Sequence, residues 1–479
     1  MTSIRHSGPG RLPEDEKRMN NHISEGKMMK KILTAIVMSS VLSVFAGTLK
    51  FECSADRENA VYKAGEKIIF TVKLTEDGKN AADKFIQYRL YHDDKVVKKD
   101  KVSAAEELKI ETSSDKPGWI YIQVWAKDAK DQFIKQPVKV GSKMVNQAQG
   151  ITGAMVEPEK LLPPMKEPED FDAFWDQVKK ELAAVPMKVL EKVRIPEEKR
   201  VELYDVKIAC AGEKPVSGYL CIPLNAKPKS CPAFMGFHGA GVRSSYKRVD
   251  MAVRGVIALD INAHGIENGK PQSFYDDLKK NYYNTTLDKF RPTRYAHWNK
   301  HDRDKYYFKG MYMRLMRALE YVKSLPEWDG KHLIVSGGSQ GGAQVLAACA
   351  LDHDITFARA GVPAMCDHSG CLGNRRSGWP ALYTREINRK DPAYAKCASY
   401  YDGAYFARRI RCPIWINTGF ADNTCPPTSV FAAYNSIPAK TEKHMQTCPD
   451  GGHGTPHSEG MKAMNNYIDS ILKKQAVKK

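Results

Sequence analysis

The sequence predicts an α/β fold in which strands and helices alternate along the chain, preceded by a smaller region of antiparallel strands. Residues 312–322 repeat apolar side chains at helical spacing, residues 333–335 form a short apolar strand, and residues 344–351 are almost wholly apolar. This order of helix, strand and helix is typical of a sheet covered by helices. Residues 68–124 instead alternate apolar and polar side chains between turn signals, which predicts antiparallel strands.

A glycine-rich turn with a serine at its apex joins the strand at 333–335 to the helix that follows. Gly337, Ser339 and Gly341 form a G-x-S-x-G pattern, in which side chains at the two glycines would clash because strand and helix approach closely. The turn lifts the serine hydroxyl to a helix N-terminus, whose N–H groups suit a developing oxyanion. This context is that of a nucleophile elbow, so the sequence predicts an α/β-hydrolase fold with Ser339 as nucleophile.

An elbow serine reacts only when a histidine accepts its proton and a carboxylate orients that histidine. In α/β hydrolases the acid and then the histidine follow the serine, each on a loop after a strand. Asp422 lies in the loop after the apolar run 413–418, and His453 lies in the turn after residues 443–447. We therefore predict Asp422 as the acid and His453 as the base, the alternative for each being a loop residue that caps backbone groups. Four further candidates fit the pattern less well: Asp402, Asp450, His444 and His457.

The oxyanion hole of this fold takes one backbone N–H from the residue after the nucleophile, here Gln340, and one from a loop after an early strand. The second donor is predicted at Ala240, because the apolar run 233–237 ends in the glycine-rich loop 238–241. A plain tight turn is the alternative interpretation of that loop. Residues 266–310 are rich in Asn, Asp, Lys, Tyr and Trp with little apolar period, which predicts an insertion or lid near the catalytic face.

Composition divides the chain into four predicted segments. They are a leader over residues 1–47, an Ig-like antiparallel β-sandwich over 48–145, a Pro- and Gly-rich linker over 146–168 and an α/β-hydrolase catalytic domain over 169–479. Trp119, Tyr121 and Trp125 share one face of a predicted strand of the sandwich. These side chains either pack against the catalytic domain or form a platform on which a sugar stacks.

Residues 28–46 have the form of a secretory signal peptide, with a basic start, a short apolar stretch and a small residue before Gly47. A membrane anchor is the alternative, although the apolar stretch is short for a membrane span. Because the residues ahead of it are polar, we expect translation to start at Met28 or Met29. The protein is thus predicted to be periplasmic or secreted, with no stable membrane span after cleavage. Of its eleven cysteines, Cys366 and Cys371 are close enough to bridge a small loop.

The net charge of +18 is spread along the chain, without a Lys/Arg block beside an aromatic platform. This distribution argues against nucleic-acid binding. Two interpretations of the charge remain, namely an ordinary solvated basic surface and a surface that attracts an acidic polysaccharide. The sequence contains no C-x-x-C or H-E-x-x-H spacing, so we predict no metal site.

One set of motifs occurs together over roughly residues 165–475. It comprises Phe171-Asp172-Ala173-Phe174-Trp175, His238-Gly239, Ser324-Leu325-Pro326-Glu327-Trp328-Asp329, Gly338-Ser339-Gln340-Gly341-Gly342, Asp422 with Cys425-Pro426-Pro427, Val430-Phe431-Ala432-Ala433-Tyr434-Asn435, and Gly452-His453. This combination resembles the acetyl xylan esterase and cephalosporin C deacetylase family. The resemblance implies the same site assignments, removal of acetyl groups from sugar hydroxyls of an acetylated oligo- or polysaccharide, and no cofactor.

The chain departs from the family pattern at two places. Ala263-His264-Gly265 stands where the family usually carries Arg-Gly-Gln, and His453-Gly454 stands where it usually carries His-Glu. Both places touch residues that orient the site. The resemblance therefore does not decide which substrate this chain acts on, or whether it forms the family's ring-like homo-oligomer. The alternatives are an esterase of the same fold acting on a glucuronoyl-type or small acyl ester, a peptidase-like amidase, and a non-catalytic polysaccharide-binding protein.

Overall fold

The structure is a computed structural model that describes residues 47–140, 143–283, 294–384, 386 and 391–476. The predicted signal peptide at 28–46 lies outside the described residues. The chain from Leu49 onward forms one compact unit. Among the helices that are described, none is both long enough and apolar enough to cross a membrane.

The first eleven described strands form two sheets and a hairpin. They are β1 (Leu49–Ala55), β2 (Val61–Tyr62), β3 (Ile68–Glu76), β4 (Lys79–Asn80), β5 (Phe85–His92), β6 (Lys95–Ser103), β7 (Leu108–Thr112), β8 (Gly118–Lys127), β9 (Pro137–Val140), β10 (Lys143–Asn146) and β11 (Gln149–Val156). One sheet holds β1, β3, β4 and β7, and the other has the order β2-β11-β8-β5-β6, while β9 and β10 form the hairpin. Their pairings are antiparallel except that of β2 with β11.

One apolar cluster contains buried side chains from both of these sheets. Along β3, the side chains of Ile68, Phe70 and Val72 are buried, while most of their neighbours are partly exposed, because successive side chains of a strand point to opposite faces. They belong to one cluster with Ile120 and Ile122 of β8. The period-two pattern of the sequence thus corresponds to the alternation of buried and partly exposed side chains along these strands.

Strand β11 lies within residues 146–168, the segment that the sequence predicted to be a linker. This strand pairs along its whole length with β8 and also pairs with β2. Because this strand contains two glycines, its composition resembles that of a loop. They are required by close packing, since an added Cβ at Gly153 would lie 2.1 Å from the carbonyl oxygen of Phe420.

Nine further described strands form one large sheet. They are β12 (Val189–Arg194), β13 (Val201–Ile208), β14 (Val216–Pro223), β15 (Cys231–Phe237), β16 (Ile257–Ile261), β17 (Trp328–Gly338), β18 (Phe357–Gly361), β19 (Ile414–Gly419) and β20 (Lys443–Cys448). Their order is β12-β13-β14-β16-β15-β17-β18-β19-β20. Pairing is antiparallel from β12 to β16 and parallel from β16 to β20. The C-terminal ends of β15, β17, β19 and β20 therefore meet at one edge.

Helices cover both faces of this sheet. The described α-helices are α1 (Phe171–Ala183), α2 (Val249–Val253), α3 (Gln272–Leu278), α4 (Tyr307–Ser324), α5 (Gln340–Leu351), α6 (Ala393–Tyr400), α7 (Gly403–Ala407), α8 (Pro427–Ser436) and α9 (Ser458–Ala476). Helices α1, α4 and α5 contribute to one buried cluster, and α2 and α9 contribute to a second. The predicted α/β class is confirmed.

The structure adds detail that the sequence did not predict. Strands β12 and β18 were not predicted, because their short runs lack a clear apolar pattern. The segment 266–310, predicted as an insertion or lid, contains α3, a π-helical turn at Lys279–Tyr283 and a 3-10 turn at Tyr295–His297.

Candidate active site

Ser339 occupies the turn between β17 and α5 with backbone angles φ 57° and ψ −120°. A positive φ is uncommon for a residue with a side chain and stores strain. Hydrogen bonds to both of its peptide groups hold this conformation. The N–H of Ser339 donates to the carbonyl of Gly361 (2.8 Å), and the N–H of Ala364 donates to the carbonyl of Ser339 (3.0 Å). The surrounding backbone thus fixes the direction of the serine side chain.

The two outer glycines of the elbow allow three backbone segments to touch. An added Cβ at Gly337 would lie 2.4 Å from the carbonyl oxygen of Gly341, and one at Gly341 would lie 2.1 Å from that of Phe237. Real Cβ atoms do not approach backbone so closely. The sequence argument that side chains would clash at these positions therefore has a direct structural counterpart.

We expect Gly341→Ala to lower the free energy of unfolding by about 3 kcal/mol, because the new methyl group must push α5 away from the end of β15. Gly310→Ala is a matched control, since its Cβ would lie 3.5 Å from only the flexible tip of Arg314. That change in α4 should instead stabilise the protein by about 1 kcal/mol. Urea unfolding measures both variants. Equal midpoints for the two would contradict the steric argument.

The structure brings Ser339, His453 and Asp422 into one hydrogen-bonded chain. His453 Nε2 lies 2.9 Å from Ser339 Oγ, and His453 Nδ1 lies 2.8 Å from Asp422 Oδ2. A carboxylate can only accept, so Nδ1 carries the proton and Nε2 is left to accept the hydrogen bond of the serine hydroxyl. This tautomer is the one that a general base for the serine requires.

Asp422 is completely buried, and hydrogen bonds to both of its carboxylate oxygens fix its orientation. Its Oδ1 accepts hydrogen bonds from the backbone N–H groups of Thr424 (2.7 Å) and Cys425 (2.9 Å), which leaves Oδ2 for His453. A buried carboxylate held by two N–H donors cannot rotate freely, so it keeps the imidazole in one orientation.

The four other sequence candidates lie outside this chain of hydrogen bonds. Asp402 accepts from backbone N–H groups at the start of α7 and in the loop after β18, and burial raises the pKa of its carboxyl to about 7. Asp450 is exposed, and His444 stacks on Trp415 at 4.0 Å. Burial lowers the pKa of His457 to about 4.

The predicted oxyanion donors flank the nucleophile. Gln340 is the first residue of α5, where backbone N–H groups have no partner within the helix. An added Cβ at Gly239, the residue before Ala240, would lie 3.6 Å from Ser339 Cβ. The loop that carries Ala240 therefore runs beside the serine.

His238 is a positioning residue that the sequence analysis did not assign. Its Nδ1 donates to the carbonyl of Gly239 (2.7 Å), and its Nε2 accepts from the N–H of Ala263 (3.1 Å). Burial lowers the pKa of this histidine to about 4, so the neutral ring that these bonds require persists at neutral pH. The loop that carries Ala240 is thereby tied to the loop after β16.

The segment predicted as a lid reaches the same site from the other side. Tyr295 donates from its hydroxyl to Gln340 Oε1 at 2.6 Å. His264, one of the departures from the family pattern, lies 3.2 Å from the carbonyl of Gly241 and 2.6 Å from the hydroxyl of Tyr307. Its Nε2–H therefore donates to the loop and its Nδ1 accepts from the tyrosine. No local sequence signal indicates this long-range network.

The N-terminal sheets touch the two loops that carry the acid and the histidine. Trp119 Nε1 donates to the carbonyl of Phe420 (2.7 Å), two residues before Asp422. The N–H of Gly153 donates to the carbonyl of Pro449 (3.0 Å), four residues before His453. These bonds fix the backs of both catalytic loops.

A third link is ionic. Arg376 contacts Asp94 of the N-terminal region with Nε and donates from Nη1 to Asn423 Oδ1 at 3.0 Å. Trp119 and Tyr121 are buried, and Trp125 is partly buried. For Trp119, packing against the loop after β19 is therefore the interpretation that the contacts support.

The structure describes the state of the cysteines and one group of side chains that could hold a metal ion. All eleven cysteines are free thiols, so Cys366 and Cys371 are not bridged. The donor atoms of Asp422, Cys425 and His453 lie within 4.8 Å of one another, and no other such group occurs among the described residues. Two members of this group, Asp422 and His453, bond to each other in the chain that ends at Ser339.

Comparison with known proteins agrees with this site. The acetyl xylan esterase family model matches residues 157–469. The acetyl esterase Axe7A of Xylanibacter ruminicola is 34% identical over 331 residues, which cover 67% of this chain and 70% of that protein.

Solved structures give the same result for the fold. The acetyl xylan esterase from Paenibacillus sp. R4 is 27% identical with a TM-score of 0.55, over 66% of this chain and 98% of that one. Acetyl xylan esterase 1 from Thermoanaerobacterium sp. JW/SL YS485 is 22% identical with a TM-score of 0.54, over 65% and 97% of the two chains. With a family model that spans more than half of its length, the chain belongs to the acetyl xylan esterase family and is a carboxylic ester hydrolase.

Proposed function

We propose that this protein removes acetyl groups from acetylated xylan-type polysaccharide through an acyl-enzyme on Ser339. The observation that carries the proposal is the hydrogen-bonded chain from Ser339 through His453 to Asp422, in a member of a family of acetyl xylan esterases. Binding alone would not require this set of three residues, which argues against a non-catalytic scaffold.

The reaction begins when His453 Nε2 takes the proton from Ser339 Oγ, and the oxygen attacks the acetyl carbonyl carbon. Negative charge develops on the carbonyl oxygen, which accepts from the N–H groups of Ala240 and Gln340. Loss of one such donor costs about a hundredfold in rate. His453 then gives its proton to the departing sugar oxygen. Water repeats the sequence on the acetyl-serine and releases acetate.

Two further features belong to the proposal. The two N-terminal sheets with their common core support an assignment as an Ig-like β-sandwich that is joined to an α/β-hydrolase domain. The signal-peptide pattern of residues 28–46 supports export to the periplasm or the medium, where a polymeric substrate is accessible.

The test is acetate release from acetylated xylan, from other acetylated glycans and from small acetyl esters, with methyl glucuronate esters as the competing substrate. We expect release of acetate from acetylated xylan and no cleavage of the methyl glucuronate esters. Cleavage of the glucuronate esters without acetate release would overturn the acetyl assignment. A fluorophosphonate probe tests catalysis itself, because a binding protein without an activated serine would remain unlabelled.

A further inference from the structure

A cavity of about 260 Å³ lies beside the nucleophile elbow, at the C-terminal ends of β15, β17 and β18. Its walls include the side chains of Arg243, Arg248 and Arg359, together with Phe234 and Tyr246. Three guanidinium groups around one small cavity form an unusual concentration of like charge. We call this cavity the arginine pocket.

Only one of the three arginines has a buried carboxylate as partner. Arg248 pairs with Asp260, which is completely buried, at 2.7 Å. Among the described residues, neither Arg243 nor Arg359 forms an ion pair. Asp250, the other carboxylate in the wall of the pocket, is exposed to solvent. The pocket thus holds an excess of positive charge.

Two of these cations also have unused hydrogen-bonding capacity. Arg243 Nε is buried and has no hydrogen-bond partner in the described part of the chain. Arg359 donates from Nε to the hydroxyl of Ser336 at 3.0 Å, a neutral acceptor that does not balance its charge. Burial and the neighbouring Arg248 lower the pKa of Arg359 to about 10, so it remains charged at neutral pH. Buried charged groups normally have a partner that compensates for their desolvation.

The arginine pocket is adjacent to the reacting serine. An added Cβ at Gly239 would lie 3.6 Å from Ser339 Cβ and 3.9 Å from Arg243 Nη2. Gly239 and Gly338 are also part of the pocket wall. Arg243 and Ser339 therefore lie on either side of the same glycine, which places the wall of the pocket beside the serine.

We propose that the arginine pocket binds the carboxylate of a uronic acid unit carried by the acetylated glycan. The inference rests on the proposed function and names its substrate class. A guanidinium matches a carboxylate with two parallel hydrogen bonds, and a planar anion would supply an acceptor for Arg243 Nε and a compensating negative charge for Arg359. The ring of Tyr246 lies 5.1 Å from the guanidinium carbons of Arg243 and of Arg248, and it helps to hold both cations in the wall of the pocket.

Binding is tested without turnover in the full chain carrying Ser339→Ala, by calorimetric titration with methyl glucuronoside and with methyl glucoside. We expect the glucuronoside to bind measurably more tightly than the neutral sugar. Adding Arg359→Gln or Arg243→Gln should weaken its binding by about tenfold, the loss expected for one charge-assisted hydrogen bond. Arg200→Gln is the matched control, because Arg200 forms an exposed ion pair with Glu198 away from the pocket, and it should leave the affinity unchanged.

Turnover provides the second measurement. The ratio of kcat/KM for acetylated glucuronoxylan oligosaccharides to that for neutral acetylated xylo-oligosaccharides should fall about tenfold in Arg359→Gln and stay constant in Arg200→Gln. Equal binding of glucuronoside and glucoside would overturn the pocket assignment. Inorganic phosphate that binds more tightly than glucuronoside would also overturn it, in favour of a phosphate site. Glucuronoside binding without acetate release from any substrate would leave the pocket in place and overturn the proposed function alone.

Discussion

Replacing Ser339 with alanine is expected to lower kcat for acetyl ester hydrolysis by about 10⁶-fold, since the attacking oxygen is lost and the other catalytic groups have nothing to activate. The methyl group that remains fits the elbow, because the positive φ of 57° is set by the backbone contacts of the turn and not by the hydroxyl. The variant should therefore fold normally and still bind substrate. Initial rates of acetate release with purified protein measure the loss.

The acyl-enzyme itself can be observed. Mass spectrometry of the intact protein, quenched during turnover of an activated acetyl ester, should show one acetyl group on wild-type protein and none on Ser339→Ala. Ser436→Ala is the control, because its hydroxyl donates to the carbonyl of Ala432 within α8. Acetate release by Ser339→Ala at more than about one per cent of the wild-type rate would show that the elbow serine is not the nucleophile.

Asp422→Asn is expected to lower kcat by about 10⁴-fold although it changes the shape of the side chain very little. The N–H groups of Thr424 and Cys425 donate to Oδ1, so the amide oxygen of asparagine must occupy that place. The NH₂ group then faces His453 Nδ1 and forces it to accept a hydrogen bond. The ring proton moves to Nε2, which can no longer take the proton of Ser339.

The matched control for this prediction is Asp450→Asn, on the loop that leads to His453. Asp450 is exposed. The side-chain hydrogen bond that is described for it comes from the thiol of Cys448. Its variant should keep the wild-type rate. Near-wild-type activity in Asp422→Asn, with inactivity in Asp450→Asn, would show that Asp450 and not Asp422 is the acid. Thermal unfolding of both variants shows whether the fold survives.

The elbow and its partners were predictable from sequence because each depends on local constraints. Gly337 and Gly341 are demanded by contacts within a few residues of Ser339 or with the neighbouring strand. The loops of Asp422 and His453 follow apolar strands whose ends must lie at the same edge of a parallel sheet. The oxyanion loop could be inferred in the same way, from a strand that ends in a run of glycines.

Residues that support the site from a distance could not be predicted. His264 acts through Gly241 and Tyr307, and Trp119 acts through a carbonyl 301 positions further along the chain. Neither contact follows a periodic pattern. Strand β11 was assigned to a linker because the tight packing of Gly153 against Phe420 excludes the branched side chains by which a strand is recognised.

The bonds from Trp119 to Phe420 and from Gly153 to Pro449 have a consequence for how the enzyme responds to heat. They make the N-terminal sheets and the catalytic loops parts of one cooperative unit, consistent with a single compact body from Leu49 onward. Melting of the N-terminal sheets would release the backs of both loops and end catalysis in the same transition. The upper temperature at which the esterase works is therefore expected to follow the stability of the whole unit and not that of the large sheet alone.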